Sequence, residues 1–162
     1  MSAEAMPLWD WAVAGYQRPS VPPICLHLQD DFGQNVPLLL WAIWAGQAGW
    51  TGDEETLEAA CDLARAWDDL AVRPLRAVRQ AMKKPHPDLD DLAREQVRDQ
   101  VKAVELMAEK ALLEGLEALE WSEGPSGRRV PAVVDTVARL AKAWSGQAPR
   151  AALTQLVDAL SS

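Results

Sequence analysis

Ser20-Val21-Pro22-Pro23-Ile24-Cys25-Leu26-His27-Leu28-Gln29-Asp30-Asp31-Phe32-Gly33-Gln34-Asn35-Val36-Pro37-Leu38-Leu39-Leu40-Trp41-Ala42-Ile43-Trp44 carries a helix-start signal twice, and that repetition sets the fold class. Ser20 and Asn35 are capping residues. Pro22, Pro23 and Pro37 fall in opening turns, where an N–H has no intrahelical partner to lose. Gly33 supplies the stop between the two runs. Pro7 opens an earlier helix in the same way, and Arg18-Pro19 ends it, because a residue before proline avoids helical backbone. The punctuation predicts three short helices over residues 7–17, 20–32 and 35–47. Alternation of β-branched residues is nearly absent from the chain, so no strand is predicted and the fold class is all-α, a compact multi-helix bundle.

Beyond the loop Gly49-Trp50-Thr51-Gly52, Thr51 or Asp53 caps a fourth helix with an acidic first turn, favourable to the helix dipole. Leu57, Ala60, Cys61, Ala64 and Trp67 recur at three and four residues and, with Val72, give it an apolar face. Pro74 either breaks this helix or starts a fifth over 74–84, which Lys83-Lys84-Pro85-His86-Pro87 terminates. From 88 to 121 no proline intervenes, so one long helix of about 34 residues would reach roughly 50 Å. Val97, Val101, Val104, Ala108, Ala111, Gly115 and Ala118 form a heptad seam along it, with small residues that admit a close neighbour. Ser122-Glu123-Gly124-Pro125-Ser126-Gly127 is a break by composition. Helices over 131–144 and 149–160 then form a hairpin, dividing the chain into a bundle at 1–123 and a helical extension at 124–162 that packs on the bundle or on a partner.

The 162 residues suffice for one domain, and 49% apolar with 25% charged is an ordinary globular balance. A chain this long buries about 68–70% of its unfolded surface, so the core needs no disulfide or metal staple. Net charge of −8 and a pI near 4.7 argue against nucleic acid and anionic membrane as main partners. The longest apolar run, about ten residues, is half of the ~20 that span a bilayer. Cys25 and Cys61 have no CxxC spacing and read most simply as reduced thiols, a disulfide being the alternative. With no basic and apolar leader pattern in the first residues, the expected location is cytoplasmic.

Five of the eight Trp lie in the first fifty residues, beside one Phe and one Tyr in the whole chain. Trp9, Trp41 and Trp44 are expected in the core, their indole N–H groups seeking Asp10, Gln29 or Asp30. Trp11, Trp50, Trp121 and Trp144 are harder to bury together and are candidates for a partner surface, since Trp anchors protein interfaces. Arg73, Arg76, Arg79 and Lys83 put a basic stripe on one helix face. With Asp30 and Asp31 it could form an anion or ligand site, or it could pair with the acidic face Glu105, Glu109, Glu117 and Glu120 of the long helix. Cys25 and His27 point about 200° apart on a helix and cannot share an ion locally, whereas His27 and Asp31 share a face. Asp30 and Asp31 read as a carboxylate pair for acid–base work or, more plainly, as a helix end. No Gly-x-Ser-x-Gly, phosphate loop or paired-Cys motif occurs, so no catalytic residue, metal or cofactor is expected.

The pattern Leu8-Trp9-Asp10-Trp11-Ala12, Tyr16, Arg18-Pro19-Ser20-Val21, Cys25-Leu26-x-Leu28-Gln29-Asp30, Gly33-x-Asn35-Val36, Leu38-Leu39-Leu40-Trp41, with Trp67 and Arg73-Pro74-Leu75-Arg76-x-Val78-Arg79 further on, resembles an uncharacterised family of small proteobacterial helical proteins known as a domain of unknown function. The resemblance covers about residues 6 to 120 and implies a helical bundle, with no activity or site residues to carry over. Pro37 stands where that pattern is expected to have a polar residue. The expected function is therefore non-enzymatic: binding of a protein partner or a second copy through apolar helix surface and exposed Trp. Two other expectations use the basic stripe: a small-molecule or phosphate site at Arg73, Arg76 and Arg79, and, less favoured by the charge, nucleic-acid binding.

Overall fold

Pro7 leaves the chain extended at φ −51°, ψ 141°, and helix α1 follows over Leu8–Tyr16. A computed structural model describes residues 6–122 and 132–161. Within them come α2 (Val21–Phe32), α3 (Val36–Gln47), α4 (Glu54–Trp67), a π-helical turn (Asp68–Val72), α5 (Arg73–Ala81), α6 (Asp91–Glu117), α7 (Val133–Ser145) and α8 (Arg150–Leu160). Among the described residues no strand forms, and no helix is long and apolar enough to cross a membrane. Asn35, Asp53 and Asp90 cap their helices by accepting from Leu38, Thr56 and Ala93 N–H at 3.0, 2.9 and 2.9 Å. Ser20 precedes α2 but its hydroxyl caps nothing. The acceptor position faces the second and third helical residues, and here both are proline and have no N–H to give. Gly33 closes α2 at φ 62°, left-handed backbone that only glycine adopts freely.

Pro74 stands in the first turn of α5, so of the two readings the start of a fifth helix holds, although that helix follows α4 without a loop. In regular α geometry the proline could give no hydrogen bond to the Leu70 carbonyl, and its ring would press on that oxygen. The wider π turn at Asp68–Val72 relieves this, so helical backbone runs on from α4 into α5. The long helix is also shorter than its composition implies. Asp90 caps it and it ends at Glu117, whereas the expected span was 88–121. The expected break at 122–127 lies, beyond Ser122, outside the described residues.

Helix α3 is buried on nearly every side and packs on α1, α2, α4, α6 and α7, which makes it the hub of the core. The α7–α8 hairpin packs on this bundle through α3·α7 and α2·α8, and Leu140, Leu153 and Leu156 are fully buried in the common core. Gly46 permits that approach, since a Cβ there would lie 3.2 Å from Val133 Cγ1. Polar clasps at Gln34 and Trp144 help to hold the hairpin. Gln34 Nε2 donates to Ser145 Oγ at 2.8 Å and to the Gln147 carbonyl at 2.9 Å, and Trp144 Nε1 donates to the Gly33 carbonyl at 3.0 Å.

Trp50 and the α6 seam lie otherwise than the sequence suggests. None of Trp11, Trp50, Trp121 and Trp144 is an exposed residue. Trp50 is 1% exposed and stacks on Trp41 with centroids 4.7 Å apart, while the other three are partly buried against the core. The α6 seam is also rotated by about one residue: Arg94 and Glu105 are buried, at 8% and 6% exposure, whereas Val97 and Val104 stand 50% and 46% exposed. The apolar seam is covered only in its second half, where Gly115 meets Leu63 of α4. In the first half α6 faces α5, whose inner side is basic, so charged residues turn inward.

Candidate functional site

Helices α1, α3 and α6 each bring one face to a common chamber of about 440 Å³, and α2 adds one residue. Helix α1 gives Trp9, Ala12, Val13 and Tyr16, the i, i+3, i+4, i+7 positions of one stripe. From α3 come Val36, Pro37 and Leu40, from α6 Leu106, Glu109 and Leu113, and Gln17 and Gln29 complete the wall. A second, smaller lobe of about 170 Å³ shares the wall residues Gln29, Val36, Pro37 and Glu109 with the first and lies beside it, the polar end of a cleft whose other end is apolar. The polar end is lined by Asn35, by Asp68 and Val72 of the π turn, and by Arg73, Arg76 and Trp144.

The basic stripe sits beside this cleft with its arginines already engaged. Arg76 donates through Nε to Glu105 Oε1 at 3.1 Å and through Nη2 to Glu109 Oε1 at 3.2 Å. Arg79 donates to Glu105 Oε2 at 2.6 Å and Oε1 at 3.3 Å. Arg73 pairs with Asp69 and, at 3.4 Å, with Asp68. Arg94 donates to the Met82 carbonyl at the end of α5 at 2.6 Å, and Arg98 to the Arg79 carbonyl at 3.3 Å. The α5–α6 seam is thus held by guanidinium groups where a bundle ordinarily uses leucine.

Two carboxylates one helical turn apart receive opposite treatment. Burial disfavours the charge on Glu105, but hydrogen bonds from Arg79 and Arg76 outweigh it and hold the carboxyl below its ordinary value of 4.5. Among the described residues Glu109 receives one bond, from Arg76. Burial, only partly opposed by Arg76 and reinforced by the Glu105 charge, pushes it above 4.5. Near it, burial and the adjacent Cys25 thiol push the Tyr16 phenol well above its usual range, and burial likewise raises Cys25, so both keep their protons.

The other expected site residues lie elsewhere. Asp30, Asp31 and Lys83 are exposed and do not line the cleft; its carboxylates are Asp68 and Glu109 instead. His27 and Asp31 do pair across one turn, on the exposed side of α2. Among the described residues no group of three or more His, Cys, Asp or Glu is placed to hold a metal ion. Glu117 accepts from the Leu8 N–H at 3.2 Å, not from the stripe. Sequence reading named Glu109 only as a pairing partner and did not single out Tyr16 or Gln29 as site residues. Their signal is the helical spacing alone, which reads equally well as core.

A profile for a family described as protein of unknown function (DUF2390) matches residues 7–116. The chain belongs to that family. Every wall residue of the 440 Å³ chamber falls within the DUF2390 stretch, and Trp144 is the one residue of the smaller lobe outside it. Helices α7 and α8 lie beyond the match. No curated protein and no solved structure matches the chain.

Proposed function

We propose that the chain is a small-molecule-binding protein whose ligand occupies the chamber between α1, α3 and α6. One observation carries this reading: a mainly apolar chamber of about 440 Å³ in which a few polar groups, Glu109, Gln29 and Tyr16, converge. That volume lies within the ~300–1,000 Å³ typical of ligand pockets, which combine apolar walls with a few orienting polar groups. The phosphate form of the idea is less favoured, because Arg73, Arg76 and Arg79 each already hold a carboxylate. The same pairing, with a net charge of −8, leaves little to attract nucleic acid. We read the site of action as the cytoplasm, where two free, buried cysteines are at home.

The test is thermal unfolding with 1-octanol in wild type and in Val13→Trp. Val13 lines the chamber yet is 41% exposed, so the larger ring fills chamber space without entering the core. Octanol is expected to raise Tm of the wild type in a saturable manner and to leave Val13→Trp unmoved. The same rise in both, or none in either, would contradict the reading.

A second reading, docking of a protein partner or a second copy, is favoured by the uncovered half of the α6 seam, where Met107 is 67% exposed alongside Val97 and Val104. It predicts a mass by light scattering that rises with concentration, or a captured partner, and loss of either in Val97→Asp/Val104→Asp. A monomer at all concentrations with no captured partner would count against it.

A further inference from the structure

We infer that the chamber takes a lipophilic amine, its apolar body against α1 and α3 and its ammonium on Glu109. This rests on the chamber being a ligand site at all. Among the described residues, Glu109 is the one charged side chain in the chamber wall, the rest being Trp, Ala, Val, Tyr, Gln, Pro and Leu. Its Oε1 accepts one bond from Arg76, while its Oε2 carries none among the described residues. The neighbouring Glu105 takes the other three arginine bonds. An ammonium group would give Oε2, on a side chain 28% exposed, a charge-assisted bond to a ligand, and would favour the ionised form that burial now disfavours.

The remaining wall suits a cation too. Trp9 and Tyr16 are aromatic members of the wall; the Lys110 ammonium already lies 5.2 Å from the Trp9 ring centroid, which leaves Tyr16 as the ring without a cation partner among the described residues. The side-chain oxygens of Gln17 and Gln29 are further acceptors. An anionic head would find only neutral donors in the wall, the Gln17 and Gln29 amides and the Tyr16 hydroxyl, with no cation among the described residues of the wall. The α3 N-terminus adds only the Val36 N–H, because Pro37 has none and the Leu38 N–H is spent on Asn35. Arg76 lines the other lobe and is bound to two glutamates.

The experiment is calorimetric titration at neutral pH of wild type and Glu109→Gln with three probes of one chain length: octylammonium, 1-octanol and octanoate. Octylammonium is expected to bind the wild type about tenfold or more tighter than octanol, the effect of one charge-assisted hydrogen bond, with octanoate weakest. In Glu109→Gln the advantage of octylammonium over octanol should vanish. Octanol binding with no preference for the amine, or a preference that survives Glu109→Gln, would overturn the amine assignment and leave the chamber reading standing. Failure of all three probes would overturn both.

Discussion

Glu105→Gln is expected to cost about 2–3 kcal/mol of folding stability, while Glu109→Gln, one turn further on, leaves stability unchanged or slightly higher. Glu105 is the hub of the α5–α6 seam, buried at 6% exposure and accepting three bonds from two guanidinium groups. Removing one partner of a buried pair costs about 3–5 kcal/mol because the other charge is stranded. Arg76 and Arg79 have side chains 24% exposed, so water recovers part of that loss. Glu109 differs because its charge is resisted: a neutral amide relieves that resistance and can still accept from Arg76. The pH dependence follows with opposite signs. Glu105, depressed below 4.5, contributes stability that is complete above that value and is lost as pH falls through its folded-state pKa. Glu109, raised above 4.5, weakens the fold at pH above its folded-state pKa, and acidification through that value removes the penalty. Urea unfolding of the two variants and wild type at neutral pH, followed by Trp fluorescence, checks both. Equal losses from the two substitutions would show that the seam does not distinguish its carboxylates.

Trp50→Ala is expected to cost about 3–5 kcal/mol, the usual range for emptying an aromatic core site. Its ring lies on Trp41, tilted by 48°, and its Nε1 donates to Asp53 Oδ2 at 2.8 Å. Asp53 is the cap of α4, so one indole joins the core to the start of the next helix. Trp50→Phe keeps most of the volume and forfeits that bond, for a smaller loss of about 1 kcal/mol. Thermal or urea unfolding measures both. An effect of Trp50→Ala within about 0.5 kcal/mol, as for an ordinary surface substitution, would contradict the packing described.

Local chemistry made the helices legible and tertiary geometry hid the site. Asn35, Pro37 and Gly33 announce α2 and α3 because capping and positive φ are properties of single residues. Ser20 misleads because a cap needs donors, and Pro22 and Pro23 supply none. On α6 the spacing of Val97, Val101 and Val104 points to one face, but the basic inner side of α5 draws Glu105 inward and leaves Val97 and Val104 outside. A heptad pattern assumes an apolar neighbour, and no pattern within α6 reveals a charged one. The chamber shows the same limit. Trp9, Ala12, Val13 and Tyr16 share one stripe by helical spacing, yet the core face of α1 is Leu8, Ala12 and Gly15, and what the stripe meets depends on how far α1 stands from α3 and α6. The stripe is the intermediate case: its charge and spacing are evident, and its pairing with Glu105 and Glu109 was one of two open readings.

The central claim is that the chamber between α1, α3 and α6 is a binding site, and Tyr16 tests it directly. It is the single tyrosine of the chain and part of the chamber wall, so ring-labelled tyrosine gives one NMR signal from inside the site. Titration with 1-octanol is expected to shift that signal in a saturable manner in wild type and to leave it unmoved in Val13→Trp. A Tyr16 signal that stays fixed in wild type while tryptophan indole signals move would place octanol elsewhere and contradict the account.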